Sequence, residues 1–384
     1  MLPPKAGPTE DLLNSISLKN EAYITRLSKV LPNEAVSNEE MENSLGMIND
    51  EPSKGKGLVL RNNGIKNRYY ALDKEGRLTH TNARLTADAV RKLFDISFSL
   101  EDMEALACGT TSPDQLLPSH TSMVHGELKG KPLEIFSLSG SCCAGMQALK
   151  YGYLSIISGH KNNVVSTGSE IFSSWMLAKH YQGEADKLAE LNERPIVAFE
   201  KDFLRWMLSD GAGAALIEKA PRDKIALKIE WIEILSYANE LETCMYAGTV
   251  KEESGNTKGW KEFELREWLE DSIFSLKQDV KLLDQHIISK GTMMLNEIIR
   301  EKNFDIGEIS YFLPHISSEY FRAKIEEEIK KYNISIPKEK WFTNLDRIGN
   351  VGSASIYLMM EELFHCGNLK KGQKILLMVP ESAR

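Results

Sequence analysis

The chain has 384 residues, of which 42% are hydrophobic and 27% are charged, with 26 glycines and 13 prolines. This composition excludes a collagen-like, coiled-coil or largely disordered protein. The 47 basic and 55 acidic residues give a formal net charge of −8, so no overall basic field indicates binding to nucleic acid. No apolar run has the length of a membrane span and no signal-peptide pattern is seen, so we expect a cytoplasmic protein without membrane contact. Five cysteines in this length do not suggest a disulfide framework.

Residues 1–20 are polar and proline-rich at their start, which predicts an N-terminal arm. Hydrophobic periodicity and helix-start signals then predict the first half of the fold, residues 21–220. The predicted strands cover 21–27, 103–108, 133–138 and 164–168, and the predicted helices begin at Ser37, cover 82–98 and follow Gly145. The strand–helix–strand order over 133–168 is a βαβ unit, which implies parallel pairing.

Residues 221–384 repeat this alternation. Strands are predicted over 225–235, 309–313 and 375–379, with helices over 268–300, from Glu319, and through Leu358 and Leu363. Each half places a chemically reactive type of residue between a strand and the next helix. The pattern therefore predicts a mostly parallel α/β fold of two related halves.

Cys143 follows a predicted strand and precedes a predicted helix. Free backbone N–H groups and the helix dipole favour an anion at such a turn, and the thiol pKa can fall from about 8.5 toward neutrality there. Gly140 and Gly145 would keep the turn open to a substrate. A buried structural cysteine is the competing interpretation, because cysteine is among the most buried residue types.

His315 and Asn350 also lie where predicted strands or loops end. His315 follows a strand and a proline, so its ring should project from the sheet edge at which α/β proteins bind ligands. A core histidine and a simple loop cap are the competing interpretations of these two residues. Together with Cys143 they form a constellation that supports nucleophilic acyl chemistry without separating hydrolysis from carbon–carbon bond formation.

Other candidate motifs are weaker. His120, His125 and Cys108 lack the tight spacing of metal ligands, so no metal site is expected. The stretch Asp210-Gly-Ala-Gly-Ala lacks the glycine order and lysine of nucleotide-binding loops. Close backbone packing near the site is its predicted role.

Five stretches occur in a characteristic order: Gly109-Thr-Thr-Ser-Pro, Ser141-Cys-Cys-Ala-Gly, Ser209-Asp-Gly-Ala-Gly-Ala, Leu313-Pro-His and Gly349-Asn-Val-Gly-Ser-Ala-Ser. From about residue 21 onward the chain resembles the thiolase-fold β-ketoacyl-acyl-carrier-protein synthase III family. The resemblance implies a five-layer αβαβα arrangement and a homodimer. It implies no metal or redox cofactor.

The resemblance implies a two-step acyl transfer. Cys143 would take an acyl primer from a thioester of acyl carrier protein or coenzyme A. His315 and Asn350 would stabilise the enolate formed when a malonyl thioester loses carbon dioxide, and this carbanion would attack the acyl-cysteine. The catalytic effect would come from hydrogen-bond donors on these two side chains that point at the enolate oxygen as it becomes negatively charged.

The chain departs from the family in several places. Leu58 and Asn62 replace an aromatic residue and an arginine that hold coenzyme A, which favours a primer bound to carrier protein. Leu117 stands where an aromatic residue often closes the acyl pocket across the dimer. Two interpretations of Leu117 are open: it leaves a longer tunnel for the acyl chain, or it is an ordinary core leucine. Ser382 and Ala383 stand where the family has the glycines of its oxyanion hole, and the family's last strand is absent. Two interpretations are open: either the sequence is truncated at this end, or the chain is reduced in stability or activity.

Carrier proteins are acidic, so docking requires a local basic patch despite the charge of −8. Lys277, Lys281 and Lys290, on the predicted helix over 268–300, are the candidates, with an ordinary solvated face as the alternative. Two alternative functions stay open. One is condensation and cyclisation of β-ketoacyl thioesters, as in dialkylresorcinol-type secondary metabolism, and the other is a non-catalytic partner subunit with the same fold.

Overall fold

A computed structural model describes residues 20–383 apart from 54, 181–202 and 222–224. The predicted N-terminal arm therefore lies almost wholly outside the described residues. The strands are β1 (Tyr23–Val30), β2 (Ala35–Ser37), β3 (Asn67–Tyr69), β4 (Ala105–Thr110), β5 (Glu134–Ser139), β6 (Asn163–Glu170), β7 (Gly211–Glu218), β8 (Leu227–Lys228), β9 (Met245–Tyr246), β10 (Thr249–Lys251), β11 (Thr257–Gly259), β12 (Lys277–Gln278), β13 (Ile309–Pro314) and β14 (Lys374–Met378).

The α-helices in this part of the chain are α1 (Met41–Leu45), α2 (Lys56–Asn63), α3 (Asn82–Arg91), α4 (His120–Leu128), α5 (Ala144–Ile157), α6 (Leu265–Glu270), α7 (Val280–Glu301), α8 (Tyr320–Lys330), α9 (Leu345–Ile348) and α10 (Ser355–His365). Short 3-10 helices cover Ile48–Asp50, Leu100–Asp102, Ala178–His180, Trp260–Glu262, Ile306–Glu308, Lys338–Lys340 and Gly352–Ala354. None of these described helices is both long and apolar enough to cross a membrane.

A six-stranded sheet has the order β5-β4-β6-β7-β1-β8. Strands β5 and β6 flank β4 and run parallel to it, with α5 between them in sequence, which confirms the predicted βαβ unit. The pairs β6–β7, β7–β1 and β1–β8 are antiparallel. Every residue of β4, β6 and β7 is buried, as expected for strands covered on both faces.

Three apolar clusters join the elements into layers. One packs α3 and α4, through Leu85 and Val124, onto the first face of the six-stranded sheet. A second packs α5 and α10, through Leu149 and Tyr357, between the other face of that sheet and the parallel pair β13–β14. The third joins β13 and β14 to α7 and α8 around Phe312. The order is helices, sheet, helices, strand pair, helices, and the expected five-layer αβαβα arrangement is confirmed.

Two predictions for residues 225–300 are wrong in extent. The strand predicted over 225–235 is formed only at β8, and the following residues line a cavity. The helix predicted over 268–300 begins at Val280, where the Asp279 carboxylate accepts the Leu282 N–H at 2.9 Å. This N-cap starts a new helix after α6 and β12, because it satisfies a backbone donor that a continuous helix would already have used.

The centre of the fold depends on backbone groups in very close contact. A Cβ at Gly145 would lie 2.2 Å from the Ser353 carbonyl oxygen, and a Cβ at Gly168 would lie 2.3 Å from the same oxygen. A Cβ at Gly109 would lie 2.1 Å from the Ala144 carbonyl oxygen. Only glycine permits these approaches, so α5 and β6 are held directly against the turn that precedes α10, and β4 is held directly against α5.

The stretch that begins at Asp210 has the packing role that its sequence predicted. A Cβ at Gly213 would lie 2.4 Å from the Tyr357 Cβ, so α10 lies directly on β7 there. The Tyr357 hydroxyl donates to the Gly145 carbonyl at 2.8 Å. This bond ties α10 to the first turn of α5.

We predict that Gly145→Ala lowers the free energy of unfolding by more than about 2 kcal/mol, because its methyl group would overlap a backbone oxygen that cannot move alone. Gly126→Ala is the matched control: it lies in α4 with open space around the added Cβ. This control should be neutral or stabilising by up to about 1 kcal/mol, since alanine favours helix over glycine. Urea denaturation measures both, and equal stabilities of the two variants would contradict the packing argument.

Candidate active site

Cys143 is the N-cap residue of α5, at the turn that follows β5. Its side chain is partly buried, and its Sγ donates to the Val379 carbonyl oxygen at 3.2 Å. Val379 directly follows β14, so the thiol lies against the end of the strand pair. The helix start and the strand end together place the sulfur between the two sheet layers.

A carboxylate occupies the turn that carries Cys143. The backbone N–H of Cys143 donates to Oε2 of Glu381, and the backbone N–H of Ser141 donates to Oε1, both at 2.7 Å. Burial, followed by the negative charge of Glu381, raises the pKa of the Cys143 thiol. The expectation that this turn lowers the thiol pKa is therefore wrong, because a carboxylate already uses the N–H groups that would stabilise a thiolate.

His315 lies at the same strand end. Its backbone N–H donates to the Met378 carbonyl at 2.8 Å, and the residue as a whole is only 4% exposed. Burial lowers the pKa of the ring to about 4, so the imidazole is neutral at physiological pH. Its Nε2 has no hydrogen-bond partner among the described residues, which leaves one buried polar atom for a ligand.

Asn350 is held by its backbone on both sides. Its N–H donates to the Met207 carbonyl at 3.0 Å, and its own carbonyl accepts the Ser209 N–H at 2.9 Å. The side-chain Oδ1 accepts the Gly352 N–H at 2.9 Å. With its oxygen used inside the turn, the amide nitrogen is the group that Asn350 can offer to a substrate.

The structure brings Cys143 and His315 together at the end of β14 and places the residue before Asn350 beside His315. The Cys143 thiol and the His315 N–H bond to consecutive carbonyls, those of Val379 and Met378. His315 and Gly349, the residue before Asn350, line one small cavity, while Cys143 lines a larger one. The assignment of catalytic roles to the three residues stays a prediction.

The larger cavity has a volume of about 180 Å³ and runs from Cys143 along α7. Its walls are the residues 231–244, the inner face of α7 and the end of β14, and most of the side chains are apolar. The polar side chains that line it include Glu233, Glu242, His286, Lys290, Glu381 and Ser382. An apolar cavity that ends at a cysteine suits an extended acyl chain better than a polar substrate.

Gly145, Ser382 and Ala383 were expected near an oxyanion hole. Gly145 lies in the first turn of α5 and serves the close packing described above. The Ser382 carbonyl accepts from Gln278 Nε2 at 3.3 Å, and the Ala383 carbonyl accepts the Cys244 N–H at 2.8 Å. The end of the chain is thus anchored beside β9 and β12, and the Cys143 N–H is taken by Glu381 instead.

The predicted docking lysines lie in different settings. Lys277 is in β12 rather than on the helix, which corrects its expected position. Lys281 is exposed in the first turn of α7. Lys290 forms an ion pair with Glu240, and its Nζ lies 4.9 Å from the Tyr237 ring centroid.

Leu117 is 85% exposed and is not among the residues that line the described cavities. Its predicted role across a dimer stays a prediction. Arg68, close to Asn62 in sequence, is fully buried and donates to the Trp206 carbonyl and to the Asn38 side chain. Its role here is structural.

The weaker candidates do not form a metal centre. His120 is buried, with Nε2 3.2 Å from Ser169 Oγ, and His125 Nε2 lies 3.0 Å from the Lys131 carbonyl oxygen. Cys108 is buried within β4. The described part of the chain contains no group of three or more histidine, cysteine or acidic side chains able to hold a metal ion.

Sequence reasoning missed two carboxylates. Glu381 comes two residues after a predicted strand, a position at which side chains reach a sheet edge, and this was the available signal. Glu170 ends β6 and accepts hydrogen bonds from Thr111, Ser112 and Ser353. No local pattern marks Glu170, because its partners come from distant parts of the chain.

Comparison with known proteins agrees with this architecture. Residues 299–379 match the family model of the 3-oxoacyl-[acyl-carrier-protein] synthase III C terminal region. A β-ketoacyl-[acyl-carrier-protein] synthase III of Clostridium perfringens strain SM101 is 26% identical over 321 residues, covering 82% of this chain and 84% of that protein.

Two solved structures share the fold. AbyA1, a tetronic acid condensing enzyme, superposes with a TM-score of 0.74 at 20% identity and covers 94% of this chain and 96% of its own. The 3-oxoacyl-(acyl carrier protein) synthase III of Pseudomonas aeruginosa PAO1 gives a TM-score of 0.65 at 16% identity, covering 94% and 95%. The chain thus has the thiolase-type fold of condensing enzymes. Within that class it is similar to β-ketoacyl-acyl-carrier-protein synthase III, and the resemblance seen in its motifs is confirmed.

We predict a pH-dependent contribution of His315 to stability. Its folded pKa of about 4 lies below the unfolded value of about 6.5, so the stability due to the neutral ring is full above about pH 6.5 and is lost as the pH falls toward 4. Between pH 7 and pH 4.5, the free energy of unfolding of the wild type should fall by about 2 kcal/mol relative to that of His315→Gln.

Urea denaturation at both pH values measures this difference. His120→Gln is the parallel variant, because burial also lowers the pKa of His120 to about 4. A wild-type-to-variant difference that is the same at both pH values would contradict the burial of a neutral His315.

Proposed function

We propose that the protein is a condensing enzyme that carries an acyl group on Cys143 and joins it to a second, malonyl-type thioester with loss of carbon dioxide. The observation that carries the proposal is the position of Cys143. It is the N-cap of a helix in the central layer, at the end of a largely apolar cavity. Similarity to β-ketoacyl-[acyl-carrier-protein] synthase III supports this reaction class.

The first step is transthioesterification. The Cys143 sulfur attacks the carbonyl carbon of an acyl thioester, the carbon–sulfur bond of the donor breaks, and the donor leaves as a free thiol. The reaction needs no metal or redox cofactor, because each bond formed replaces one of the same kind.

The second step uses His315 and Asn350. The carbon–carbon bond to the malonyl carboxylate breaks, carbon dioxide leaves and the electron pair forms an enolate. A neutral His315 and the Asn350 amide donate to the enolate oxygen, and the carbanion attacks the acyl carbonyl on Cys143. The carbon–sulfur bond to Cys143 then breaks, and the released thiolate takes up a proton from solvent. The buried Nε2 of His315, without a described partner, supports its role as a donor.

The cavity along α7 is the proposed site of the acyl chain. Leu282, Leu283 and Leu295 contribute to its wall, and burying methylene groups against such side chains favours binding by about 0.8 kcal/mol per group. Acyl carrier protein is the proposed donor of both thioesters, and a homodimer is the proposed assembly. Both proposals rest on similarity to the synthase III enzymes.

A second candidate function is condensation of two acyl-type thioesters in secondary metabolism, including the cyclising variant. The superposition with AbyA1, a tetronic acid condensing enzyme, at a TM-score of 0.74 favours it. The same cysteine would carry the first acyl group. Product masses separate the candidates, since a linear β-ketoacyl thioester marks the first and a cyclic diketone marks the second.

We predict that incubation with acyl thioesters adds one acyl mass to the wild type at Cys143 and none to Cys143→Ala. Cys142→Ala is the matched control, because Cys142 is the buried neighbour and should leave acylation intact. Intact-protein and peptide mass spectrometry measures both. An acyl adduct that persists in Cys143→Ala would overturn the assignment of the nucleophile.

We predict that Lys281→Glu weakens binding to an acidic acyl carrier protein several-fold at low salt, and that the difference shrinks as salt screens the charges. Lys281 is exposed beside the cavity formed by α7. The control is Lys330→Glu, because Lys330 is also exposed and lies at the end of α8. Equal carrier-protein affinities of the two variants by calorimetric titration would exclude docking at α7.

A further inference from the structure

Glu381 lies at the reactive cysteine and has no part in the two-step reaction given above. We propose that Glu381 is a catalytic residue, the general base that takes the proton of the Cys143 thiol and returns it to the leaving thiol of the acyl donor. This inference rests on the proposed function and specifies its first step.

The geometry places the carboxylate at the reacting group. The Cys143 N–H holds Oε2 at 2.7 Å, so the carboxylate is bound to the same residue whose thiol has to lose its proton. The Ser141 N–H holds Oε1 at 2.7 Å. With both oxygens bound by backbone donors of one turn, the carboxylate has a defined position beside the sulfur.

The residues after Glu381 keep it there. The Ser382 carbonyl accepts from Gln278, and the Ala383 carbonyl accepts from the backbone of Cys244 and Met245. The Ala383 side chain packs on the cluster around β13, β14 and α7. Glu381 is therefore placed by tertiary contacts on both sides of the turn, as a catalytic side chain requires.

Two other groups described at the end of β14 are poor bases. The Val379 carbonyl accepts the thiol hydrogen bond at 3.2 Å but does not take up a proton at neutral pH. Burial lowers the pKa of His315 to about 4, which weakens it as a base. Burial raises the pKa of Glu381 above its usual range, which strengthens it as a base.

The proton transfer balances within the acylation step. The S–H bond of Cys143 breaks as the sulfur attacks the thioester carbonyl, and an O–H bond forms on Glu381. When the tetrahedral intermediate collapses, the carboxylic acid gives this proton to the departing donor sulfur. The products are the acyl-cysteine, a free thiol and a Glu381 carboxylate.

The same transfer frees the oxyanion site. Hydrogen bonds from backbone N–H to an ionised carboxylate are roughly twice as strong as those to a neutral group. Protonation of Glu381 therefore weakens its hold on the Cys143 N–H, which can then bind the oxyanion of the intermediate. In this chain one carboxyl group occupies the position at which Ser382 and Ala383 were expected to form an oxyanion hole.

The test compares two reactions of Cys143 in the wild type and in Glu381→Gln. One is acylation by the small thioester butyryl-N-acetylcysteamine, which needs no carrier protein, followed by rapid-quench intact-mass measurement. The other is alkylation by iodoacetamide in a Cys366→Ser background, which removes the exposed cysteine. Glu327→Gln, an exposed change on α8, is the matched control.

We expect Glu381→Gln to slow acylation by at least about 100-fold, as for loss of a general base. Alkylation should not slow, because removing the negative charge makes the thiolate easier to form. Glu381→Asp, which keeps a carboxylate, should recover part of the acylation rate, and thermal denaturation checks that all variants fold.

Three results would overturn the proposal. Acylation of Glu381→Gln within about threefold of the wild-type rate would show that no base is lost. Equal losses of acylation and alkylation in Glu381→Gln would show that Glu381 only supports the turn. An alkylated but never acylated wild type would overturn the proposed function itself, and the base role with it.

Discussion

The central layer depends on one constraint, the backbone contact between the start of α5 and the turn before α10. The Ser353 carbonyl oxygen lies so close to Gly145 and Gly168 that a Cβ at either position would overlap it. This contact sets the distance between the helix that carries Cys143 and the loop that carries Asn350. Because both segments are rigid and buried there, the position of each is determined by the other.

A buried carboxylate strengthens this arrangement. Glu170 accepts hydrogen bonds from residues 110–112 at the end of β4 and from the Ser353 N–H. Burial raises the pKa of Glu170, and its hydrogen bonds oppose that shift. A buried acid with many donors is stable only while all of them remain in place, so Glu170 couples β4, β6 and the Asn350 loop. The geometry of the site is thus a property of the whole central layer.

The thiol environment is the main chemical departure of this chain. A helix N-terminus usually favours a thiolate, but Glu381 already uses the two backbone donors of the turn. The resting Cys143 is therefore a neutral thiol, and its reactivity depends on where its proton can go. The protein combines a thiolase-type fold with a cysteine whose turn is already occupied by a carboxyl group.

The amino-acid sequence by itself determined most of the first half of the fold. Strand–helix alternation and apolar periodicity predicted β4, β5, α5 and β6, because these segments are long, regular and buried. Family motifs pointed to Cys143, His315 and Asn350, since reactive residues at strand ends follow simple positional rules. The boundaries of two halves at residue 220 stay a prediction.

Only the tertiary structure decided the thiol pKa, the cavity along α7 and the place of Glu381. Residues 231–244 form no extended strand because they curve around that cavity. The local hydrophobic pattern of the sequence does not indicate such curvature. Glu381 and Cys143 are 238 residues apart, so no spacing rule joins them. Sequence patterns report local conformation and burial, whereas the pairing of a distant carboxylate with a thiol depends on how separate layers pack.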